Sequence, residues 1–137
     1  MTNKNLAILL IEDSQLYRDF ICSQLRSKLC ISKLDVADTE RLGRKLVEEN
    51  EYDLIISDTM RKHPYLDCDY PYGPEIVMYA RNLGITAIVI AISTNPDNKS
   101  QWNERGIKYD YFFEKGTFNS EKVKEVILNE SLKQKVK

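Results

Sequence analysis

Tyr52-Asp53-Leu54-Ile55-Ile56-Ser57-Asp58 is the stretch on which the fold turns. Leu54 to Ser57 reads as a buried strand, and the strand ends on a carboxylate, Asp58. Upstream, Leu6 to Ile11 is a continuous apolar run, the mark of a strand buried on both faces, and it ends in Glu12-Asp13. Downstream, Thr86 to Ile92 is the most apolar run and ends in Ser93-Thr94; Tyr109 to Phe113 ends in Glu114-Lys115. Lys33 to Val36 is a weaker strand between the first two.

Helical patterns fill the intervals. After Asp13-Ser14, Ile21, Leu25 and Leu29 recur at four-residue spacing, flanked by Leu16 and Phe20. Asp38 is placed to cap a short helix carrying Leu42, Leu46 and Val47 inward, with Gly43 weakening its regularity. Gly73-Pro74-Glu75 opens a third helix, with proline at the first helical position and an acid in the first turn. Ile76, Ala80 and Leu83 line its inner face, and Gly84 suits the left-handed position past its end. Asn95-Pro96-Asp97 repeats the start signal ahead of a polar helix whose large apolar residue is Trp102, with Gly106 as its stop. Asn119 caps the last helix, with Phe118 and Val123 spaced as a hydrophobic staple, and the polar residues after about Glu130 are expected to fray. The pattern is (βα)5: a doubly wound, parallel five-stranded sheet with helices on both faces.

Composition bounds the function. A length of 137 residues fits one domain, spanning 1–137 with its core at about 6–130. Hydrophobic residues at 42% can build a core, and a net charge of -1 argues against a nucleic-acid binder that works by bulk positive charge. The longest mostly apolar run, Ile85 to Ile92, falls far short of the roughly 18–20 residues of a membrane span. Met1 to Asn5 has no secretory pattern, and Cys22, Cys30 and Cys68 are odd in number and lack CxxC spacing. A cytoplasmic protein with reduced thiols is expected.

In open parallel sheets, ligands bind at the carboxyl ends of the strands. Those ends carry Glu12, Asp13, Asp58, Ser93, Thr94 and Lys115. Clustered carboxylates call for a cation, and an all-oxygen set suits Mg²⁺, with Mn²⁺ as its substitute. A carboxylate beside that cation can act as nucleophile toward a phosphoryl group, while a lysine and a hydroxyl neutralise and bind the transferring oxygens.

Leu9-Leu10-Ile11-Glu12-Asp13-Ser14, then Tyr52 to Asp58, then Ile90-Ala91-Ile92-Ser93-Thr94, then Phe112-Phe113-Glu114-Lys115 resemble, in that order, the receiver domain of two-component response regulators. The resemblance covers roughly residues 6 to 130. It implies the CheY-like (flavodoxin-like) strand order 2-1-3-4-5. It implies that Asp58 is the phospho-acceptor, that Asp13 binds the metal, that Glu12 assists through the metal's water shell, and that the Met60 backbone carbonyl is a further ligand. Ser93 would hold a phosphoryl oxygen, Lys115 would pair with Asp58 and then with the phosphoryl group, and Phe112 would be the switch aromatic. The expected partners are a histidine kinase or histidine phosphotransfer protein and a downstream protein target, with no direct contact to nucleic acid or membrane. Such a chain is a stand-alone signalling switch in a phosphorelay rather than a turnover enzyme. Its output face would carry Trp102, Lys108 and Tyr109, with the core as an equal alternative for Trp102.

Three departures from the family stand out. The interval from Asp58 to Gly73 is longer than usual, through an insert, Arg61 to Tyr72, holding His63, Tyr65, Asp67, Cys68, Asp69 and Tyr70. The insert reads as a plain extension, or as a lid or docking surface over the acceptor. Gly116 stands where the family has proline after the lysine, so a cis peptide there is not expected. Thr94 replaces a smaller residue. The alternatives are a degenerate receiver acting as a phosphorylation-independent interaction module, and an aspartyl phosphatase of the DxDxT type. The latter lacks its second aspartate here, since Asp58 is followed by Thr59 and Met60.

Overall fold

The computed structural model describes residues 5–136, and side chains through residue 131. Each apolar run forms a strand. β1 (Leu6–Ile11), β2 (Ile31–Ala37) and β3 (Leu54–Ser57) precede a small hairpin of β4 (Arg61–Lys62) and β5 (Asp69–Tyr70); β6 (Ile88–Ser93) and β7 (Tyr111–Glu114) follow it. The main sheet is ordered β2-β1-β3-β6-β7 with every pairing parallel, which is the expected 2-1-3-4-5 once the hairpin is set aside.

Alternation along the strands sends side chains to two cores. Leu9, Ile11, Ile55, Val89 and Ala91 pack beneath α2 (Glu40–Glu49), α3 (Tyr72–Asn82) and α4 (Ser100–Asn103). Ile8, Leu10, Leu54, Ile56, Ile90 and Ile92 pack beneath α1 (Gln15–Lys28) and α5 (Ser120–Val136), through Ile21, Leu25, Val123 and Val126. Because both faces are covered, the strands read as unbroken apolar runs rather than alternating ones.

The structure revises several sequence expectations. Leu16 is 77% exposed and Phe20 43%, because they lie about 140° and 100° around the helix from Ile21, off the inward line. Thr39, not Asp38, caps α2: its extended backbone lets its hydroxyl accept from the Leu42 amide at 3.2 Å. Leu42 and Leu83 face solvent, and Val77 takes the inner place expected of Leu83. α3 begins at Tyr72 rather than at Pro74, with Pro71 as its cap. The polar helix is a 3-10 turn (Pro96–Lys99) followed by the single α-turn of α4. Trp102 is fully buried in the core, so it cannot serve an output surface.

Two glycines matter by their backbones. Gly84 and Gly106 have φ of 84° and 66°, the left-handed region where a side chain is strained. Gly43, far from disrupting α2, permits its packing: a Cβ there would lie 2.6 Å from Ile76 Cδ1 on α3. Among the described residues no peptide bond is cis, and the three cysteines are free.

Candidate functional site

Parallel register brings the strand ends level. Ile11 lies opposite Ser57, Ser57 opposite Ala91, and Ser93 opposite Glu114, so the residues just past each strand share one rim. The Asp58 amide donates to the Ile11 carbonyl at 2.8 Å, which carries the β1–β3 ladder one residue further and fixes Asp58 beside Glu12.

Glu12, Asp13 and Asp58 converge, each with a carboxylate oxygen within 4.8 Å of the others. Lys115 Nζ lies between two of them, 2.7 Å from Glu12 Oε1 and 3.0 Å from Asp58 Oδ1, and its ammonium also stands 4.5 Å from the Tyr17 ring centre. Glu12, Asp58 and Lys115 are buried, and Asp13 is half-buried. The Ser14 amide donates to Glu12 Oε2 at 3.1 Å, and Arg61 Nε lies 4.0 Å from Asp13 Oδ2.

Burial decides the titration of this group. Glu12 is pushed up to about 7, first by burial and then by the Asp58 charge, with Lys115 and the Ser14 amide working against both. Asp58 is also raised, by burial, against the pull of Lys115, Tyr72 and the Thr59 amide. For Lys115, burial disfavours the ammonium, but the two carboxylates outweigh it and the net shift is upward. A site that holds carboxylates above their ordinary range is one that a cation would relieve. The donors are all hard oxygens, and the three residues fit a divalent ion such as Mg²⁺.

The remaining predicted residues take the following places. Ser93 is buried, and its hydroxyl accepts from the Asn95 amide at 3.1 Å and from Asn98 Nδ2 at 2.8 Å, leaving its own proton as the donor. Thr94 is exposed. Met60, half-buried, directly precedes β4. Phe112 is half-buried against the α3–α4 core, with its ring 6.1 Å from that of Tyr109 and the Lys99 ammonium 5.4 Å from its centre.

Two groups at the acceptor escaped the sequence reading. The Thr59 amide donates to Asp58 Oδ1 at 2.8 Å, while its hydroxyl links the Ile92 carbonyl and Trp102 Nε1, both at 3.0 Å. The Tyr72 hydroxyl donates to Asp58 Oδ2 at 2.8 Å from a fully buried ring. Gly73 makes that possible: a Cβ there would fall 1.6 Å from the Asp58 carbonyl oxygen, so only glycine lets α3 start against the acceptor's backbone. No spacing signal marks Tyr72; the insert that delivers it was the only hint.

No protein-family model matches the chain, and no curated protein matches it. Solved structures do. The N-terminal domain of an uncharacterized protein from Wolinella succinogenes superposes with a TM-score of 0.70 at 21% identity, covering 98% of this chain and 100% of that one. The receiver domain of a Francisella response regulator matches at 25% identity and a TM-score of 0.67, covering 97% and 100%. A CheY-like receiver domain protein from Methanospirillum hungatei matches at 19% and 0.69, covering 96% and 98%. The sheet order, the two helical layers and these neighbours agree: over nearly its whole length the chain has the fold of the response-regulator receiver domain, and its structural neighbours are mostly such domains.

Proposed function

We propose that this chain is a phosphoacceptor switch of a two-component phosphorelay, with Asp58 as the acceptor. The observation that carries the reading is the convergence on Asp58 of two further carboxylates and one buried ammonium. In the reaction, an Asp58 oxygen attacks the phosphorus of a phosphohistidine on a kinase or phosphotransfer protein. The P–O bond forms as the P–N bond breaks, and the electron pair leaves on the imidazole nitrogen. Lys115 follows the charge as it moves from the carboxylate to the phosphoryl oxygens, and the Ser93 hydroxyl donates to one of those oxygens. Glu12, Asp13, Asp58 and the Met60 carbonyl would hold Mg²⁺, which would supply charge neutralisation on the transferring group.

Output then passes by surface contact. Phe112 lies on β7 opposite Ala91, two residues before Ser93 on β6, so a shift at Ser93 reaches it within one strand pair. The chain is proposed to act as a single receiver over 1–137, in the cytoplasm, without contacting nucleic acid. Among the described residues no helix is long and apolar enough to cross a membrane.

The test is labelling with acetyl phosphate and Mg²⁺, read by intact mass. The wild type should gain one phosphoryl group that hydroxylamine removes, and Asp58→Ala should gain none. A wild type that stays unlabelled, with no amide-spectrum response to beryllofluoride, would leave the phosphorylation-independent module as the better reading.

A further inference from the structure

The carboxylate of Asp58 is almost fully engaged. Its two oxygens offer about four lone-pair directions. Lys115 and the Thr59 amide occupy two on Oδ1, and the Tyr72 hydroxyl occupies one on Oδ2. A phosphoryl transfer supported by a cation needs two, one for phosphorus and one for the metal. The site is therefore one short, and a resting partner has to leave.

The three partners are not equally free to go. The Thr59 amide is fixed by backbone, and the Thr59 side chain is tied to Ile92 and Trp102. Lys115 answers two buried charges at once. Tyr72 is neutral, and one hydroxyl torsion or a small ring shift frees it. We propose that Tyr72 is a catalytic residue of the acceptor site that acts as a brake, its hydroxyl withholding Asp58 Oδ2 until it turns away.

The chemistry gives the sign. The proposal rests on the phosphoacceptor reading above. A hydrogen bond to an attacking oxygen stabilises the full charge of the ground state more than the diminished charge of the transition state, so it slows attack. A phenol is neutral at pH 7, so toward the Asp58 carboxylate the Tyr72 hydroxyl is a donor. The insert holds the brake in place. Arg61 at its start lies 5.7 Å from the Tyr72 ring centre, and Tyr70 near its end packs tilted against the same ring at 6.3 Å. The ring contacts continue through His63 to Tyr65, which is 91% exposed, so the brake is coupled to a surface a partner can touch.

The experiment compares the rate of labelling by acetyl phosphate with Mg²⁺ in the wild type and in Tyr72→Phe, which keeps the ring and removes the hydroxyl. In this reaction the phosphorus leaves acetate, which departs with the electron pair. Tyr72→Phe should label about tenfold faster or more, the scale of one hydrogen bond to a charged group. An equal or slower rate with a labelled wild type overturns the brake and leaves the phosphoacceptor reading standing. Labelling of Tyr72→Phe alone supports both; labelling of neither protein overturns both. A second readout needs no variant: the slowly exchanging Tyr72 hydroxyl proton of the wild type should be lost from the NMR spectrum when beryllofluoride and Mg²⁺ bind. Its persistence in that complex overturns the proposal.

Discussion

The two ends of the sheet use the same residue type for opposite purposes. At the amino end, Asp53 Oδ2 accepts from the Ala7 amide at 2.9 Å and Asp110 Oδ2 from the Val89 amide at 2.8 Å. Each carboxylate there satisfies the backbone amide of the second residue of a neighbouring strand, and a depression of about 560 Å³ lined by Glu51, Tyr52, Leu83 and Ala87 opens beside Asp53. At the carboxyl end, Glu12 and Asp58 are buried facing each other with a single ammonium between them. Asp53 and Asp58 bracket the same strand, and Asp58 is the one buried beside Glu12 and Lys115. Concavity alone would direct attention to the amino end. Unrelieved charge directs it to the other, because burying like charges costs free energy that chemistry or a cation can recover.

Substitutions on each rim can break or sharpen that contrast. Gly73→Ala should have the largest effect, because the new Cβ meets backbone and cannot be accommodated. A loss of about 4 kcal/mol or more in urea unfolding is expected, the range of severe core strain. Gly43→Ala is its control: the atom it meets is the end of the Ile76 side chain, which can shift, so overpacking and gained helix propensity should nearly cancel, within about 1 kcal/mol.

Lys115→Met should come next. It leaves Glu12 and Asp58 buried without their counter-charge, and a destabilisation of about 3 kcal/mol at pH 7.5 is expected by the same assay. The loss should shrink at low pH as the carboxylates protonate.

The third prediction uses the Glu12 titration. Its folded value, about 7, lies above the ordinary 4.5, so the folded state binds more protons between those two values. Stability therefore falls as pH rises through that window. Mg²⁺ favours the ionised group, so it should raise the melting temperature more at pH 7.5 than at pH 5. At ten times its Kd the gain is about 1.4 kcal/mol. An equal shift at both values would mean the acids do not bind the ion.

The smallest effect belongs to the amino end. Asp53→Asn keeps an acceptor for the Ala7 amide but loses its charge, and should cost about 1 kcal/mol while leaving phosphoryl labelling unchanged. Reduced labelling would show that the two rims are not independent.

Much of this was legible in the chain itself. Strands buried on both faces leave uninterrupted apolar runs, so β1, β3 and β6 could be placed within one or two residues, and with them Glu12, Asp58 and Ser93. Helix faces were less legible where an apolar residue sits on the solvent side, as Leu16, Phe20 and Leu42 do, because periodicity gives a direction only when most of the line agrees. Trp102 was open between core and surface, since a one-turn helix offers no periodicity to read.

The amino-acid order alone determined which residues end the strands, because backbone pairing and the period of two tie side-chain position to sequence directly. What surrounds the Asp58 carboxylate was decided only in three dimensions. Tyr72 reaches it from the far end of an insert, through a close approach that Gly73 permits, and Thr59 is steadied by a tryptophan far along the chain. Contacts of that kind depend on how layers dock, where distance in space is no longer a function of distance along the chain.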